Sequence, residues 1–214
     1  MNNSIYSFAN WLISKNLTLT GQEHIPNTGP IIFVSNHEGF LDAPVLSTVI
    51  HQQTGKQPFF PTTPWVWKFF KKFGGNWILN WIGMIPISSS QPSQSLNVAE
   101  NFLGQGGVIG IFPEGRRNGH NQHLIKGKTG AVRLALSTNT KIIPIGIKAH
   151  VGNQWSAIIH AFTRKPNTVK FGQPIDLSAW SNQPINKPLL YELTTKVMNE
   201  VGKLCHKPYL PENS

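Results

Sequence analysis

Short apolar runs, each closed by a polar cluster, recur along this chain of 214 residues. Residues 31–34 (IIFV), 108–112 (VIGIF) and 142–147 (IIPIGI) are the clearest. Runs so short and so apolar predict strands buried inside a sheet. Between them the apolar positions fall at helical spacing. Helices are expected over 43–51, ended near Gly55, over 92–103, stopped at Gly104, and over 129–137. Residues 157–162 and 168–171 read as two more strands, and 187–204 as a closing amphipathic helix after a Pro-rich linker. Near the N-terminus, residues 5–12 form a short amphipathic helix with Ile5, Phe8, Trp11 and Leu12 on one side. Strands alternating with helices predict an α/β sheet with helices on its faces.

The polar clusters stand where such a sheet keeps its chemistry, beyond the carboxyl ends of its strands. The first is NHEGFLD, residues 36–42, directly after the 31–34 run. Five positions along a straight helix would put His37 and Asp42 on different faces. With His37 on the loop and Asp42 opening the next helix, the turn can bring them together. Asp42-Ala43-Pro44 has the form of a helix start, a capping-type residue followed by a proline in the first turn. A histidine held by a carboxylate is the general-base half of a catalytic triad, without a nucleophile beside it. The second cluster, FPEGRRN at 112–118, ends the next buried strand with Glu114, Arg116 and Arg117. An arginine can grip phosphate with two parallel hydrogen bonds that lysine cannot reproduce.

Composition narrows the class of partner. The length suits one domain, and 22 aromatics are too many for a disordered chain. The net charge of +10 points to an anionic partner. Residues 43–99 hold no acid, and 115–175 hold none against ten Lys and Arg. The single cysteine, Cys205, excludes an internal disulfide and a cysteine-rich metal site. No signal peptide is read at the N-terminus, and no stretch approaches the roughly 18 apolar residues of a spanning helix. Neither a metal-site spacing nor a nucleic-acid motif is present. Residues 58–81 carry nine aromatics with Lys68, Lys71 and Lys72 among them. Such a stripe is either a helix face packed on the core or an interfacial element. In the second case Trp65, Trp67, Phe69, Phe70 and Trp77 enter the lipid headgroup boundary, or line an acyl-chain tunnel, while the lysines meet anionic lipid.

The two motifs together resemble the glycerolipid acyltransferases, the group that contains 1-acyl-glycerol-3-phosphate acyltransferase. NHEGFLD matches that family's N-H-x-x-x-x-D block, and FPEGRRN is similar to its F-P-E-G-T-R-S block, in the same order and at similar spacing. Residues 124–128 (LIKGK), followed by Ile143-Pro144-Ile145, resemble the family's K-x-G and V-P-V region, and 169–175 a strand block near the domain's end. The resemblance spans roughly residues 20–178. It implies a glycerol-3-phosphate acyltransferase-like α/β fold, a single mixed sheet flanked by helices, behind an amphipathic N-terminal helix. Residues 1–20 would be that segment, 21–180 the acyltransferase domain, and 181–214 a linker and a helix packing on the same domain.

The implied reaction moves a fatty acyl group from acyl-CoA or acyl carrier protein to the hydroxyl of a lysophospholipid, 1-acyl-glycerol-3-phosphate first among them. His37 would act as general base and Asp42 would fix its tautomer. Glu114, Gly115, Arg116, Arg117, Lys126 and Pro144 would shape the acceptor site. No bound cofactor, metal or nucleic acid is implied. The place of work is a membrane surface on the cytoplasmic side, without a spanning helix. A thioesterase-type hydrolase using the same His–Asp pair, and a non-enzymatic basic membrane-binding domain, are the alternatives. Two departures bear on the acceptor. Ser89 stands where the family often has an arginine, and Arg116 where it has a threonine.

Overall fold

The strand that delivers His37 runs through the middle of a seven-stranded sheet. The computed structural model describes residues 17–72, 75–87, 92–118, 122–149, 166–181 and 183–211. The helix expected over 5–12, the strand expected over 157–162, and Ser89 lie outside these residues. The strands are β1 (Thr18–Thr20), β2 (Ile31–Ser35), β3 (Pro58–Thr62), β4 (Met84–Pro86), β5 (Val108–Ile111), β6 (Ile142–Ala149) and β7 (Pro166–Phe171). Their spatial order is β1-β7-β6-β2-β5-β3-β4. Every neighbouring pair is parallel except β6 and β7, so the sheet is mixed.

Burial on both faces explains the near-continuous apolar runs. Ile31 and Phe33 point to one face, with Val45, Leu46, Val49 and Ile50 of helix α1 (Asp42–Thr54). Ile32 and Val34 point to the other, with residues of α4 (Pro92–Gly104), α5 (Gly130–Thr138) and α6 (Lys187–Cys205). Two shorter helices, α2 (Pro64–Lys72) and α3 (Asn76–Ile82), follow β3. Among the described residues, no helix is long and apolar enough to cross a membrane.

The aromatic stretch is not one helix. Phe59 and Phe60 form part of β3 and are buried on opposite faces. The strand pairs with β5 through Pro58 and Phe59, which brings the stretch beside the second motif.

The topology fixes where a site can form. Strands β2 and β5 are neighbours, with Ile31 opposite Val108 and Val34 opposite Ile111. The helix that follows β2 covers one face, and α5, which follows β5, covers the other. Adjacent strands whose connections depart to opposite faces leave a crevice at their carboxyl ends. Both polar clusters therefore open into the same crevice.

Candidate active site

The side-chain amide of Asn36 extends the β2–β6 pairing one step past the strand. Its Oδ1 accepts from the Ile147 backbone N–H at 2.8 Å, and its Nδ2 donates to the Ile147 carbonyl at 2.9 Å. The chain then turns out of the sheet at His37 with its backbone anchored on β6. The turn closes on Asp42, whose Oδ2 accepts from His37 Nδ1 at 2.7 Å, from Glu38 N at 2.6 Å and from Gly39 N at 2.8 Å. Asp42 is fully buried, while the His37 side chain keeps 20% of its surface. Asp42 was expected to cap the helix. Leu41 holds the capping position without a side-chain bond, and the Asp42 carboxylate instead points back over the loop. Two backbone N–H groups and an imidazole are the better partners for a carboxylate shielded from water.

Nδ1 facing a carboxylate must carry its proton, which puts the lone pair on Nε2. The ring lies flat on Phe112, with centroids 4.2 Å apart and an 18° interplanar angle. Phe112 in turn stacks on Phe60 at 5.9 Å. Gly110 provides the room, because a Cβ there would sit 2.2 Å from the Phe60 ring.

Glu114 ties the second motif to the first. Its Oε1 accepts from His37 N at 3.0 Å, and its Oε2 accepts from Asn118 Nδ2 at 2.7 Å and Ile125 N at 3.2 Å. Asn118 N donates to the His37 carbonyl at 2.6 Å. Burial holds the Glu114 carboxyl above the ordinary carboxylate range, partly offset by those hydrogen bonds. The residue is a buried brace for the loop that carries His37, with both carboxylate oxygens engaged.

Arg117 lies with its guanidinium carbon 3.4 Å from the centroid of the Phe40 ring. Burial lowers its proton affinity, and the nearby Asp42 charge restores part of it. A guanidinium stays charged under either influence. A cation thus stands beside the His–Asp pair with an aromatic platform beneath it.

A family model described as Acyltransferase matches residues 16–148, more than half of the chain. The chain belongs to the acyltransferase family. Among its relatives, 1-acyl-sn-glycerol-3-phosphate acyltransferase alpha of Mus musculus is 28% identical over 147 residues, or 66% of this chain and 48% of the relative. The Bacillus subtilis 1-acyl-sn-glycerol-3-phosphate acyltransferase is 22% identical over 192 residues, 87% of this chain and 86% of the relative. The chain spans about half the length of the mammalian relatives it matches. Among solved structures, the 1-acyl-sn-glycerophosphate acyltransferase PlsC from Thermotoga maritima aligns with a TM-score of 0.62 at 19% identity. That alignment covers 94% of this chain and 79% of the other. It carries the expectation of a single mixed sheet flanked by helices.

The site residues expected from the sequence fall into two groups. His37, Asp42, Glu114, Gly115, Arg116 and Arg117 lie together at the ends of β2 and β5. Lys126 and Pro144 do not join them. Lys126 Nζ sits 5.5 Å above the Tyr191 ring on α6. Pro144 is buried opposite Val34 in the body of the sheet. The lysine over Gly115 is Lys128, whose Nζ would be 2.8 Å from a Cβ at that glycine. Of the aromatics, Trp65, Phe69 and Trp77 are exposed at 71%, 49% and 62%. Trp67 is half-buried, and the Phe70 side chain lies outside what the structure describes.

Proposed function

We propose that this protein transfers a fatty acyl group from an acyl thioester to the hydroxyl of 1-acyl-glycerol-3-phosphate, giving phosphatidic acid. The observation that carries the reading is the 2.7 Å contact between His37 Nδ1 and Asp42 Oδ2, with the Arg117 guanidinium beside it. The names of the relatives supply the acceptor. His37 Nε2 takes the proton from the acceptor hydroxyl, and the freed oxygen attacks the thioester carbonyl. The C–O bond forms, the C–S bond breaks, and the thiolate leaves with the proton that His37 had taken. Asp42 stabilises the imidazolium between these two events. Arg117, with Arg116 on the same turn, binds the acceptor phosphate.

The lipid side of the reaction is assigned to the exposed aromatics. Helix α2 begins directly after β3, which runs parallel to β2 and β5, so it leaves the sheet at the same end as His37. Trp65, Phe69 and Trp77 enter the headgroup boundary, and Lys68, Lys71 and Lys72 meet anionic lipid on the cytoplasmic leaflet. The donor is acyl-CoA or acyl carrier protein, both of which bring phosphate to a basic chain.

The test is an acyl-transfer assay with both donors and a panel of lysolipids with and without a terminal phosphate monoester. Wild type is expected to prefer the phosphate monoester. Arg117→Ala is expected to raise KM for that acceptor by at least about tenfold with a smaller effect on kcat. An unchanged acceptor KM in the variant, or thiol release that does not depend on acceptor, would contradict the reading.

A further inference from the structure

The segment after α6 returns to the site from the far end of the chain. His206 turns the chain with φ 59°, and Lys207 N donates to the Gly202 carbonyl at 3.0 Å. Gly202 permits this return, because a Cβ there would lie 2.5 Å from the Lys207 carbonyl oxygen. Leu124 N then donates to Pro208 O at 2.9 Å, and Gly127 N to the Tyr209 hydroxyl at 3.2 Å. The result is a clasp of backbone and phenol contacts over residues 124–127.

The clasp delivers one charge. Lys207 Nζ donates to Glu38 Oε1 at 2.6 Å and lies 3.5 Å from the Asn118 carbonyl oxygen. Glu38 follows His37 directly and is 7% exposed; the Lys207 side chain is 18% exposed. The same Glu38 oxygen accepts from Asn36 Nδ2 at 2.9 Å. Glu38 further raises the proton affinity of Glu114. Three carboxylates, Glu38, Asp42 and Glu114, thus hold the loop that carries His37, and Lys207 is the cation paired with Glu38. Lys207 lies beyond the residues that the family model matches, and 169 positions from its partner.

We infer that Lys207 is a positioning residue for the acyl-transfer site: it pairs with Glu38 and, through Glu38 and the Asn118 carbonyl, fixes the loop that carries His37. The inference rests on the proposed role of His37 as base. Removing the Lys207 ammonium leaves Glu38 buried without its cation and frees the turn after Asn36 to shift, which misplaces the His37 ring. Arginine at 207 retains the charge.

The experiment compares wild type, Lys207→Met, Lys207→Arg and Glu38→Gln. In the acyl-transfer assay, Lys207→Met is expected to lower kcat by at least about tenfold with acceptor KM within about twofold. Lys207→Arg, which keeps the charge, restores kcat. The backbone amide NMR resonances of residues 37–39 give a reading independent of turnover, and they are expected to move in Lys207→Met and to return in Lys207→Arg. Should Lys207→Met fail to fold, Glu38→Gln breaks the same ion pair and is expected to lower kcat at unchanged acceptor KM. A wild-type kcat with unmoved resonances in Lys207→Met, or a wild-type kcat in Glu38→Gln, overturns the inference. Full activity in His37→Ala would sink the proposed reaction while leaving the resonance shifts of Lys207→Met intact, so the two failures are distinguishable.

Discussion

Asp42 gathers three N–H donors on a single oxygen: one from the His37 ring and two from the backbone of the loop that holds that ring. The carboxylate therefore builds the turn and orients the base in one contact, so its removal would disturb both. Cys205 shows the opposite use of burial. Its thiol is 2% exposed in the core. Burial pushes the thiol from 9.0 up to about 11, against a smaller opposing effect of Lys207. A group whose value rises on folding holds its proton more tightly in the folded chain. The stability it contributes is whole below about pH 9 and is lost as pH rises through about 11. Urea unfolding of wild type against Cys205→Ala is expected to show a constant difference below pH 9 that shifts against wild type between 9 and 11. A difference that does not change across that window would contradict the assignment. A thiol so held also offers no acyl acceptor at neutral pH, in keeping with direct transfer.

At the scale of elements, the position of the base depends on a glycine one strand away. Gly110 of β5 admits the Phe60 ring, Phe60 supports Phe112, and Phe112 carries the His37 ring. Gly110→Ala is expected to cost about 1–3 kcal/mol in unfolding free energy through overpacking. It should also reduce acyl transfer more than a surface substitution of equal stability cost, as read by urea titration alongside the assay. A variant with wild-type stability and rate would show that the stack does not hold the ring. Strands β2, β5 and β6 were legible because each is a short apolar run closed by polar residues. Strand β3 was not. Its sequence, PFFPT, carries two prolines that argue against a strand inside a sheet, and it lies within an aromatic stretch that reads as a helix. The edge strands β1 and β4 span three residues each, too short to show a period. That His37, Asp42, Glu114 and Arg117 lie together at one end of the sheet was legible because each motif is local. Lys207 on Glu38 and Asn36 on Ile147 join positions 169 and 111 residues apart, which only the sheet order brings together. Lys126 lies over Tyr191 and Lys128 over Gly115, a placement that short-range pattern does not carry.

At the scale of the molecule, an excess of positive charge and a cluster of exposed aromatics share the end of the sheet where the strands β2, β3 and β5 terminate. Trp65 stacks on Phe69 at 5.8 Å, and both are open to solvent. Interfacial binding scales with buried apolar area plus attraction to anionic lipid. Trp65→Ala with Phe69→Ala is expected to weaken sedimentation with phosphatidylglycerol-containing vesicles by at least about tenfold while the melting temperature stays close to wild type. Unchanged vesicle binding would remove the interface from α2. Docked by that helix, the crevice between β2 and β5 would face the layer that holds a lysolipid acceptor.

The central claim is that His37 removes the acceptor's proton, and its most direct test is the rate of acyl transfer to 1-acyl-glycerol-3-phosphate by folded His37→Ala. The expected result is a loss of at least about a thousandfold in kcat/KM, with the thermal transition retained. A folded variant transferring within about tenfold of the wild-type rate would contradict the account.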